Sequence, residues 1–571
     1  MDTKLLSEDV KPVTDLGDQI LAKFKHALVI DFEAVPNEDI FHAGAVFNGN
    51  TFEKKDITDT RAALKELSVF SSGADCILGH NIINHDLALA KDVLPDAPML
   101  RLPVIDTLYL SPLAFPENPY HKLIKDYKLI KHGKNNPVAD AKLAWAVFED
   151  QVAAFSLLNQ HNPGLISFYA FAFAPVCSEN RKMSGIFDMF SAFLRSVPDT
   201  DMAGQIFIAI CQGKICTTAF EAIWNDLSDH PQKRPVLAYA LSWLRVSGGN
   251  SIIPPWVKHK FPQISDIITK LRYACGSSDC AYCRQNNDAE KLLKKYFGFD
   301  GYRRLPDGRQ LQKEIIESNL EGSSLLGILP TGGGKSICYQ IPALHRYHRT
   351  GELTIVISPL KALMKDQVDN LNKTTGMETA GAVNGSLTLP ERGAVMEKVR
   401  LGDIGILYIS PEQLRNFSVA ELISSRDVGC WVFDEAHCLS KWGHDFRPDY
   451  LHVAEFISAQ SKSSTHPPLI SAFTATAKKD VIEEICSHFS EKLGLDLVTF
   501  ISGVQRENLS FQVWPVTTAE KYDVIFNCLK ESVFNGAGSA IVYCASRKKT
   551  EELSEFLNEK EIAAQAFHAG R

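Results

Sequence analysis

The stretch Leu329-Pro-Thr-Gly-Gly-Gly-Lys-Ser336 constrains what this chain can fold into more than any other part of the sequence. Apolar residues precede and follow it, a pattern that predicts a strand, a loop and a helix in that order. Three glycines let successive backbone N–H groups point into one hollow at the helix N-terminus, which favours a bound phosphate. The lysine can neutralise the outer phosphates of a nucleotide, and the serine can offer its hydroxyl to Mg²⁺. The strict phosphate-loop pattern has glycine in place of Leu329, so the match is partial. The alternative to a phosphate site is a glycine-rich turn that forms only a tight bend. We interpret the loop as a nucleotide site formed by Thr331, Gly332, Gly333, Gly334, Lys335 and Ser336.

The composition sets the broad class of the chain. Its 571 residues are enough for two to four domains, and 45% hydrophobic with 22% charged residues is typical of globular proteins. No apolar run approaches the roughly 20 residues that span a bilayer, and the N-terminus has no signal-peptide core, so no membrane is expected. Thirteen cysteines, most in apolar contexts, indicate a reducing compartment, the cytoplasm of a bacterium or the nucleus of a eukaryote. With a net charge of −8, any nucleic-acid binding must come from local basic surface.

The first 150 residues carry four well-spaced carboxylates. A buried-type strand from His26 ends in Asp31-Phe32-Glu33, and its period of two puts both acids on one face. A strand and helix over 76–90 bring Asp86, and a helix opening after Asn135 brings Asp140. This pattern resembles the DEDD family of 3′–5′ exonucleases, which have a ribonuclease-H-like fold. The resemblance implies that the four acids hold two Mg²⁺ or Mn²⁺ ions, which activate water and stabilise the leaving oxygen.

One position departs from that family. Its general-base histidine lies five residues before the last aspartate, where this chain has Asn135, and His132 is three residues earlier. Asparagine takes up no proton near neutral pH, so a fold kept for gripping DNA ends is the alternative to an active nuclease. The nearby lysines recur at every third position, either to guide a phosphate backbone or as a solvated face; they are Lys122, Lys125, Lys128, Lys131 and Lys134.

The following connector contains a cysteine cluster. Helical periodicity is plain over 186–194 and 203–210, and Cys275, Cys280 and Cys283 then follow with the spacing C-x4-C-x2-C. Thiolates at such spacing can converge on one metal ion. Zinc is the first interpretation, and the alternatives are an iron–sulfur cluster or loop cysteines without a metal. The fourth ligand stays open among His259, Cys211 and Cys216.

From Phe297 onward strands and helices alternate, which predicts a parallel sheet with helices on both faces. The run Trp431-Val-Phe-Asp434-Glu435-Ala-His437 ends a strand in adjacent acids. There Asp434 can reach the Mg²⁺ held by Ser336, and Glu435 can orient or deprotonate the attacking water. We therefore expect the strand ends that carry Lys335 and the acid pair to be neighbours around one magnesium–nucleotide.

Residues 434–450, Asp-Glu-Ala-His-Cys-Leu-Ser-Lys-Trp-Gly-His-Asp-Phe-Arg-Pro-Asp-Tyr, carry a second resemblance. The ordered motifs resemble superfamily-two helicases and, within them, the RecQ family, whose Werner type also carries an exonuclease. Aromatic and arginine side chains stack on bases in any sequence. The resemblance implies contacts to single-stranded DNA by Lys361, Trp442, Phe446 and Arg447. It also implies adenine stacking by Phe299 and adenine contacts by Arg303 and Gln312, for which Arg309 and Gln310 are rivals.

The last segment resembles the start of a second RecA-like lobe. A strand is predicted over 536–545 and a helix over 547–557, and the arginines that reach the γ-phosphate in this family are missing. We therefore expect a fragment of a longer helicase that binds ATP and hydrolyses it poorly. The predicted division is a tail (1–25), an exonuclease-like domain (26–152), a helical connector (153–295), a first RecA-like lobe (296–500) and a partial second lobe (501–571).

Together the resemblances imply an ATP-dependent 3′–5′ DNA helicase coupled to a 3′–5′ exonuclease-like domain, in DNA repair or recombination. The implied cofactors are ATP and Mg²⁺ or Mn²⁺, and the implied partner is DNA, single-stranded or duplex with a 3′ tail. The alternative is a DNA-end binding module in which neither active site turns over.

Overall fold

The computed structural model describes fourteen ranges or single positions of the chain: 15–34, 40–117, 136–176, 183–246, 253–272, 275, 277, 280–305, 307–441, 446–461, 469–475, 478–502, 510–532 and 538–568. The chain divides into two compact units, Met1–Val504 and Gln505–Arg571. Within the described ranges, no helix combines the length and the apolar character needed to cross a bilayer.

A five-stranded sheet opens the first unit, in the order β3-β2-β1-β4-β5. Strands β3, β2 and β1 pair antiparallel, whereas β1, β4 and β5 pair parallel. The elements of this region are α1 (Asp15–Lys23), β1 (Ala27–Ala34), β2 (Ile40–Phe47), β3 (Asn50–Lys54), α2 (Thr60–Phe70), β4 (Cys76–Gly79), α3 (Asp86–Val93), β5 (Val104–Asp106), α4 (Thr107–Ala114) and α5 (Pro137–His161).

A glycine in β2 sets the position of α5. Gly44 pairs with Asp31 across the β1–β2 ladder. A Cβ at Gly44 would lie 2.5 Å from the carbonyl carbon of Pro137 and 2.5 Å from the backbone nitrogen of Val138. Only glycine therefore allows the first turn of α5 to lie directly on the sheet, and that turn carries Asp140 towards the acidic end of β1.

The connector is helical, as predicted from its periodicity. Its helices up to residue 272 share one hydrophobic core with the first sheet, to which β1 contributes Val29, α5 Phe148 and the connector Phe168 and Leu241. The last connector helix, residues 289–297, packs instead in a core cluster of the second sheet. Helix α5 runs without a break across 152/153, the predicted boundary. The connector helices are α6 (Pro163–Phe173), α7 (Ser184–Ser191), α8 (Thr200–Ile210), α9 (Thr217–Asp229), α10 (Arg234–Val246), α11 (Pro255–Lys260), α12 (Ile264–Arg272), α13 (Ala281–Asn286) and α14 (Ala289–Phe297).

A seven-stranded sheet follows, in the order β12-β6-β11-β10-β7-β9-β8, and each of its pairings is parallel. Successive residues of one strand pack in different core clusters: Ile355 and Ile357 belong to one cluster, and Val356 belongs to the other. Both faces of the sheet are therefore covered. The prediction of a parallel sheet is confirmed. The elements are α15 (Leu311–Leu320), β6 (Leu325–Ile328), α16 (Lys335–Thr350), β7 (Leu353–Ile357), α17 (Lys361–Thr375), β8 (Ala380–Val383), α18 (Leu389–Leu401), β9 (Ile406–Ile409), α19 (Phe417–Ser424), β10 (Val428–Phe433), α20 (Pro448–Ser461), β11 (Ile470–Thr474), α21 (Lys479–Leu493) and β12 (Val498–Ile501).

The strands before the phosphate loop and before the acid pair are not neighbours, which corrects the sequence prediction. Strand β11 pairs with β10 on one side and with β6 on the other. One interposed strand separates the two ends by roughly 10 Å. Long side chains must therefore bridge the gap between loop and acids.

The unit Gln505–Arg571 contains α22 (Lys521–Ser532) and α23 (Arg547–Glu559), around a small core that includes Leu553 and Leu557. The predicted helix over 547–557 is confirmed. The predicted strand over 536–545 is wrong for its described part, 538–545, which has no strand hydrogen-bonding. Ile541 and Tyr543 are 81% and 92% exposed. A strand needs a hydrogen-bonded neighbour, and the described residues of this unit supply none.

Candidate nucleotide and metal sites

The phosphate loop has the backbone conformation that its glycines allow. Gly332 and Gly334 have φ values of 75° and 78°, in the left-handed region that side chains rarely adopt. The N–H of Gly333 donates to the carbonyl oxygen of Pro330 (2.8 Å), which closes a tight turn. Gly334 then caps α16, so Lys335 and Ser336 begin the helix. Backbone N–H groups at this end lack partners inside the helix, as a phosphate site requires.

Arg303 and Gln312 lie against the loop. The buried Gln312 donates from Nε2 to the carbonyl oxygen of Gly333 (3.2 Å) and accepts at Oε1 from the N–H of Arg303 (3.2 Å). Arg303 Nη1 donates to the carbonyl oxygen of Gly332 (2.5 Å). The rival Arg309 is instead paired with Asp307 at 2.7 Å. The geometry thus brings Arg303 and Gln312 to the loop, and their contact with adenine stays a prediction.

Phe299, the predicted adenine-stacking residue, lies on the surface. Its side chain is 51% exposed, and its ring stacks on that of Phe297 with 6.3 Å between centroids. One face of the ring pair is therefore accessible, as a stacking platform needs. The stacking role itself stays a prediction.

The acid pair meets the loop through Lys335. Its Nζ lies 3.2 Å from Glu435 Oε1, and the other oxygen of Glu435 lies 3.3 Å from His437 Nδ1. Thr474, at the end of the interposed β11, places its hydroxyl 3.3 Å from the same His437 nitrogen. Glu435 itself has a φ of 51°, a left-handed conformation that costs a non-glycine residue about 1–3 kcal/mol and is typical of active sites.

The two acids differ in electrostatic environment. Burial, reinforced by the charge of Glu435, raises the pKa of Asp434 to about 6. The hydrogen bond from His437 and the ammonium of Lys335 hold the pKa of Glu435 below its usual range. Burial raises the pKa of the Tyr339 phenol well above its usual range, and the charges of Tyr408 and Asp434 add to this effect. A serine hydroxyl and a carboxylate are ligands that Mg²⁺ accepts, and the role of Ser336 and Asp434 in holding it stays a prediction.

Three of the four predicted DNA-contacting residues lie within the described part of the chain. Arg447 donates from Nη1 to the carbonyl oxygen of Pro359 (3.0 Å), and its N–H donates to the carbonyl oxygen of Cys438 (3.0 Å). Lys361, two residues after Pro359, is exposed at the start of α17, and Phe446 is half-buried. Trp442 lies outside the described residues. Their contact with DNA stays a prediction.

Three of the four acids of the first sheet converge. Asp31, Glu33 and Asp140 each place a carboxylate oxygen within 4.8 Å of the others. Burial and the charges of Asp86, Asp140 and Glu33 raise the pKa of Asp31 to about 8. Carboxylates crowded in this way repel one another unless a cation or protons neutralise them, so the group can hold a hard divalent cation.

The fourth acid, Asp86, stands slightly apart. It is buried at the start of α3, accepts from the N–H of Phe32 at Oδ1 (2.5 Å) and lies 3.3 Å from His85 Nδ1 at Oδ2. The hydrogen bond to Asp86 raises the pKa of His85. No role for His85 was predicted from the sequence, although its position directly before Asp86 was a usable signal. Asn135, His132 and the lysines of 122–134 lie outside the described residues.

The cysteine trio acquires a fourth thiol from another part of the connector. Cys216 Sγ lies 3.6 Å from Cys280 Sγ, Cys275 Sγ lies 3.6 Å from Cys283 Sγ, and all four sulfurs lie within 4.8 Å of one another. Of the three open candidates, the fold selects Cys216. Cys211 is instead buried in the hydrophobic core, and His259 is not in the group.

Comparison with known proteins places the helicase half of the chain. Residues 309–485 match the family model of DEAD/DEAH box helicases. The chain is 38% identical over 282 residues to "ATP-dependent DNA helicase RecQ" of Haemophilus influenzae, a match that covers 49% of this chain and 42% of the relative. It is 36% identical over 282 residues to "Probable ATP-dependent DNA helicase RecS" of Bacillus subtilis, covering 49% and 52%. To "RecQ-like DNA helicase blm-1" of Caenorhabditis elegans it is 32% identical over 293 residues, covering 50% and 27%.

These matches confirm the predicted resemblance to RecQ helicases over the helicase region. The chain spans about half the length, or less, of the curated relatives it matches.

Proposed function

We propose that this chain carries the nucleotide-driven part of an ATP-dependent 3′–5′ DNA helicase of RecQ type, acting on single-stranded DNA and on duplex DNA with a 3′ tail. The observation that carries the proposal is the contact between Lys335 and Glu435, which joins a phosphate loop to an acid pair within a segment that matches DEAD/DEAH box helicases.

The residues divide the chemistry among them. Lys335 binds the outer phosphates, and Ser336 and Asp434 are the groups that would hold Mg²⁺. When bound there, the ion would supply positive charge that offsets the charge on the phosphates. Glu435, whose lowered pKa keeps it ionised, orients the attacking water and accepts its proton.

The ion pair between Lys335 and Glu435 adds a control step. While the ammonium is paired with Glu435, the carboxylate competes with a phosphate for its charge. Nucleotide binding therefore exchanges one partner of Lys335 for another and releases the glutamate for water. The same movement that fills the site also prepares its base.

Coupling to DNA would pass through the segment that ends in Arg447. Its side chain donates to the carbonyl oxygen of Pro359, two residues before Lys361. The Tyr450 hydroxyl donates to the carbonyl oxygen of Asp434 (2.9 Å). A strand of DNA that binds Lys361, Phe446 and Arg447 would thus act directly on the backbone that carries the acid pair. Arg447→Ala is expected to lower DNA stimulation of ATP hydrolysis and to leave ATP affinity unchanged.

The test measures ATP affinity with a fluorescent analogue and ATP hydrolysis with and without single-stranded DNA. We expect Lys335→Ala to weaken ATP binding at least about tenfold, since it removes the phosphate-binding charge. Lys365→Ala, on the exposed face of α17, is the matched control and should bind as the parent does. A parent protein that binds no ATP, or equal loss in both variants, would overturn the proposal.

A second candidate function is a 3′–5′ exonuclease in the first sheet. The strand order β3-β2-β1-β4-β5 and the three convergent carboxylates support it. His85 is bonded to Asp86, and the charges of Asp31 and Glu33 raise its pKa further. We therefore assign proton transfer at this site to the imidazole of His85.

Digestion of a 3′-labelled single-stranded oligonucleotide in Mn²⁺ tests the nuclease. We expect digestion by the parent chain and its loss in Asp31→Ala. Asp96→Ala, an exposed acid of the same region, should digest normally. Binding of DNA ends without any digestion would favour the DNA-end binding module instead.

A further inference from the structure

The four clustered thiols have a geometry that neither proposed activity uses. Four thiolates held about 2.3 Å from one tetrahedral zinc ion lie about 3.8 Å from one another. The distances of 3.6 Å for Cys216–Cys280 and 3.6 Å for Cys275–Cys283, with all four sulfurs within 4.8 Å, fit that arrangement. A disulfide would bring two sulfurs to about 2.0 Å. A four-iron cluster puts each thiolate on a different iron, which spreads the sulfurs farther apart.

We propose that Cys216, Cys275, Cys280 and Cys283 form a closed site for one zinc-type divalent ion, and that this site fastens the connector to the far end of the helix that carries the phosphate loop. Four protein ligands leave no open coordination position, so the role is structural.

The backbone prepares the thiols for a cation. Cys216 is the N-cap of α9 and accepts from the N–H of Ala219 (3.5 Å). The N–H of Cys275 donates to Cys283 Sγ (3.4 Å). Helix N-termini and N–H···S bonds stabilise negative sulfur, the form that binds a metal.

The link to the nucleotide helix runs through Tyr282, between two of the ligands. Its hydroxyl donates to the carbonyl oxygen of Lys214 (2.6 Å), in the connector. The same hydroxyl accepts from Arg349 Nη2 (2.7 Å), in the last turn of α16. Arg349 also donates from Nη1 to Asn287 Oδ1 (3.2 Å), just after α13. Because α16 is 16 residues long, about 24 Å, these contacts hold its C-terminal end while Lys335 begins the other.

Metal content of the full chain tests the site. We expect one zinc ion per chain after reconstitution with Zn²⁺, and intense thiolate-to-metal absorption after reconstitution with Co²⁺. Cys280→Ser should lose zinc to a chelator at least about tenfold more readily. Cys211→Ala, the matched control from the nearby core, should keep it. Failure to bind zinc, iron with sulfide in its place, or equal loss in both variants would overturn the site.

If Cys280→Ser does not fold, thiol reactivity of the parent chain tests the site instead. In the parent chain, chelation should expose four more thiols to an alkylating reagent, and mass spectrometry should map them to the four proposed ligands. Labelling of other cysteines, or two disulfides at these positions, would contradict the proposal.

Hydrogen exchange tests the fastening role separately. We expect both chelation and Tyr282→Phe to raise amide exchange several-fold at the C-terminal end of α16, while Tyr282→Phe retains the ion. Tyr522→Phe, in the other unit, is the control. Unchanged exchange would reject the fastening role. Neither metal content nor hydrogen exchange needs ATP or DNA. A negative result for this site is therefore distinguishable from failure of the proposed helicase function.

Discussion

The ammonium of Lys335 lies 3.2 Å from Glu435 Oε1, across an interposed strand. Strand β11 separates the strands that lead to the two residues, and its Thr474 hydroxyl lies 3.3 Å from the histidine that contacts the same glutamate. The pair is therefore made by side-chain reach rather than by adjacent strand ends. In this state the ammonium of Lys335 and the carboxylate of Glu435 neutralise each other.

Replacement of that glutamate should separate binding from turnover. In Glu435→Gln we expect ATP hydrolysis to fall by about 10²–10⁴-fold, since the water loses its proton acceptor. ATP affinity should be kept or increased, because Lys335 no longer has to leave a carboxylate. Steady-state hydrolysis and equilibrium binding of a fluorescent ATP analogue measure the two effects. Glu397→Gln, a surface glutamate of α18 paired with Arg400, is the control; a proportionate loss of affinity in Glu435→Gln would contradict the account.

We expect Gln312 to support nucleotide binding by holding the phosphate loop, and not only by contacting adenine. Its amide bonds to the carbonyl oxygen of Gly333 and to the N–H of Arg303, so Gln312→Ala removes two hydrogen bonds that hold the loop. Each bond contributes about 0.5–1.5 kcal/mol, so losing both costs about 1–3 kcal/mol, or roughly fivefold to 160-fold in affinity. We expect ATP and GTP affinities to fall together, measured by competition with a labelled nucleotide. Gln310→Ala should have little effect, and loss confined to ATP would assign Gln312 to adenine instead.

Gly44 should control the approach of α5 to the first sheet. Gly44→Ala places a methyl group 2.5 Å from the backbone of Pro137, which must shift α5 and with it Asp140. We expect the free energy of unfolding to fall by about 1–3 kcal/mol and Mn²⁺ binding to weaken.

Gly393→Ala is the matched control for that change. Gly393 lies within α18, and a Cβ there meets nothing within 4 Å. This variant should be neutral, or more stable by up to about 1 kcal/mol. Thermal or urea unfolding and calorimetric Mn²⁺ titration measure both variants, and equal stability of the two would refute the packing argument.

The crowded carboxylates should make metal binding depend on pH. The pKa of Asp31 is raised from 3.8 to about 8 without a metal, so the folded site keeps a proton that the unfolded chain has already lost. Stability from this group is therefore largest below its unfolded pKa and declines as pH rises towards about 8. A divalent cation must displace the proton, so Mn²⁺ affinity should increase between pH 6 and pH 8.5. Calorimetry in buffers of different ionisation heat should detect the released proton, and Asp31→Asn should abolish that release.

Local patterns were sufficient for most of the chemistry. Three glycines before Lys335, the acid pair after an apolar strand and the spacing of Cys275, Cys280 and Cys283 could each be interpreted from consecutive residues. Backbone conformation and side-chain periodicity depend on near neighbours, so such motifs and the helices around them are predictable. The similarity to RecQ helicases over the helicase region rests on the same kind of information.

The tertiary structure decided which distant residues meet. It placed β11 between β6 and β10, selected Cys216 as the fourth thiol and set Gly44 beneath α5. It also left Ile541 and Tyr543 exposed and their segment without strand pairing, although the composition of the segment favours a strand. These outcomes depend on packing and hydrogen bonding between segments far apart in the chain, which no local pattern specifies. The sequence by itself determined the chemical groups of each site, and the fold determined their partners.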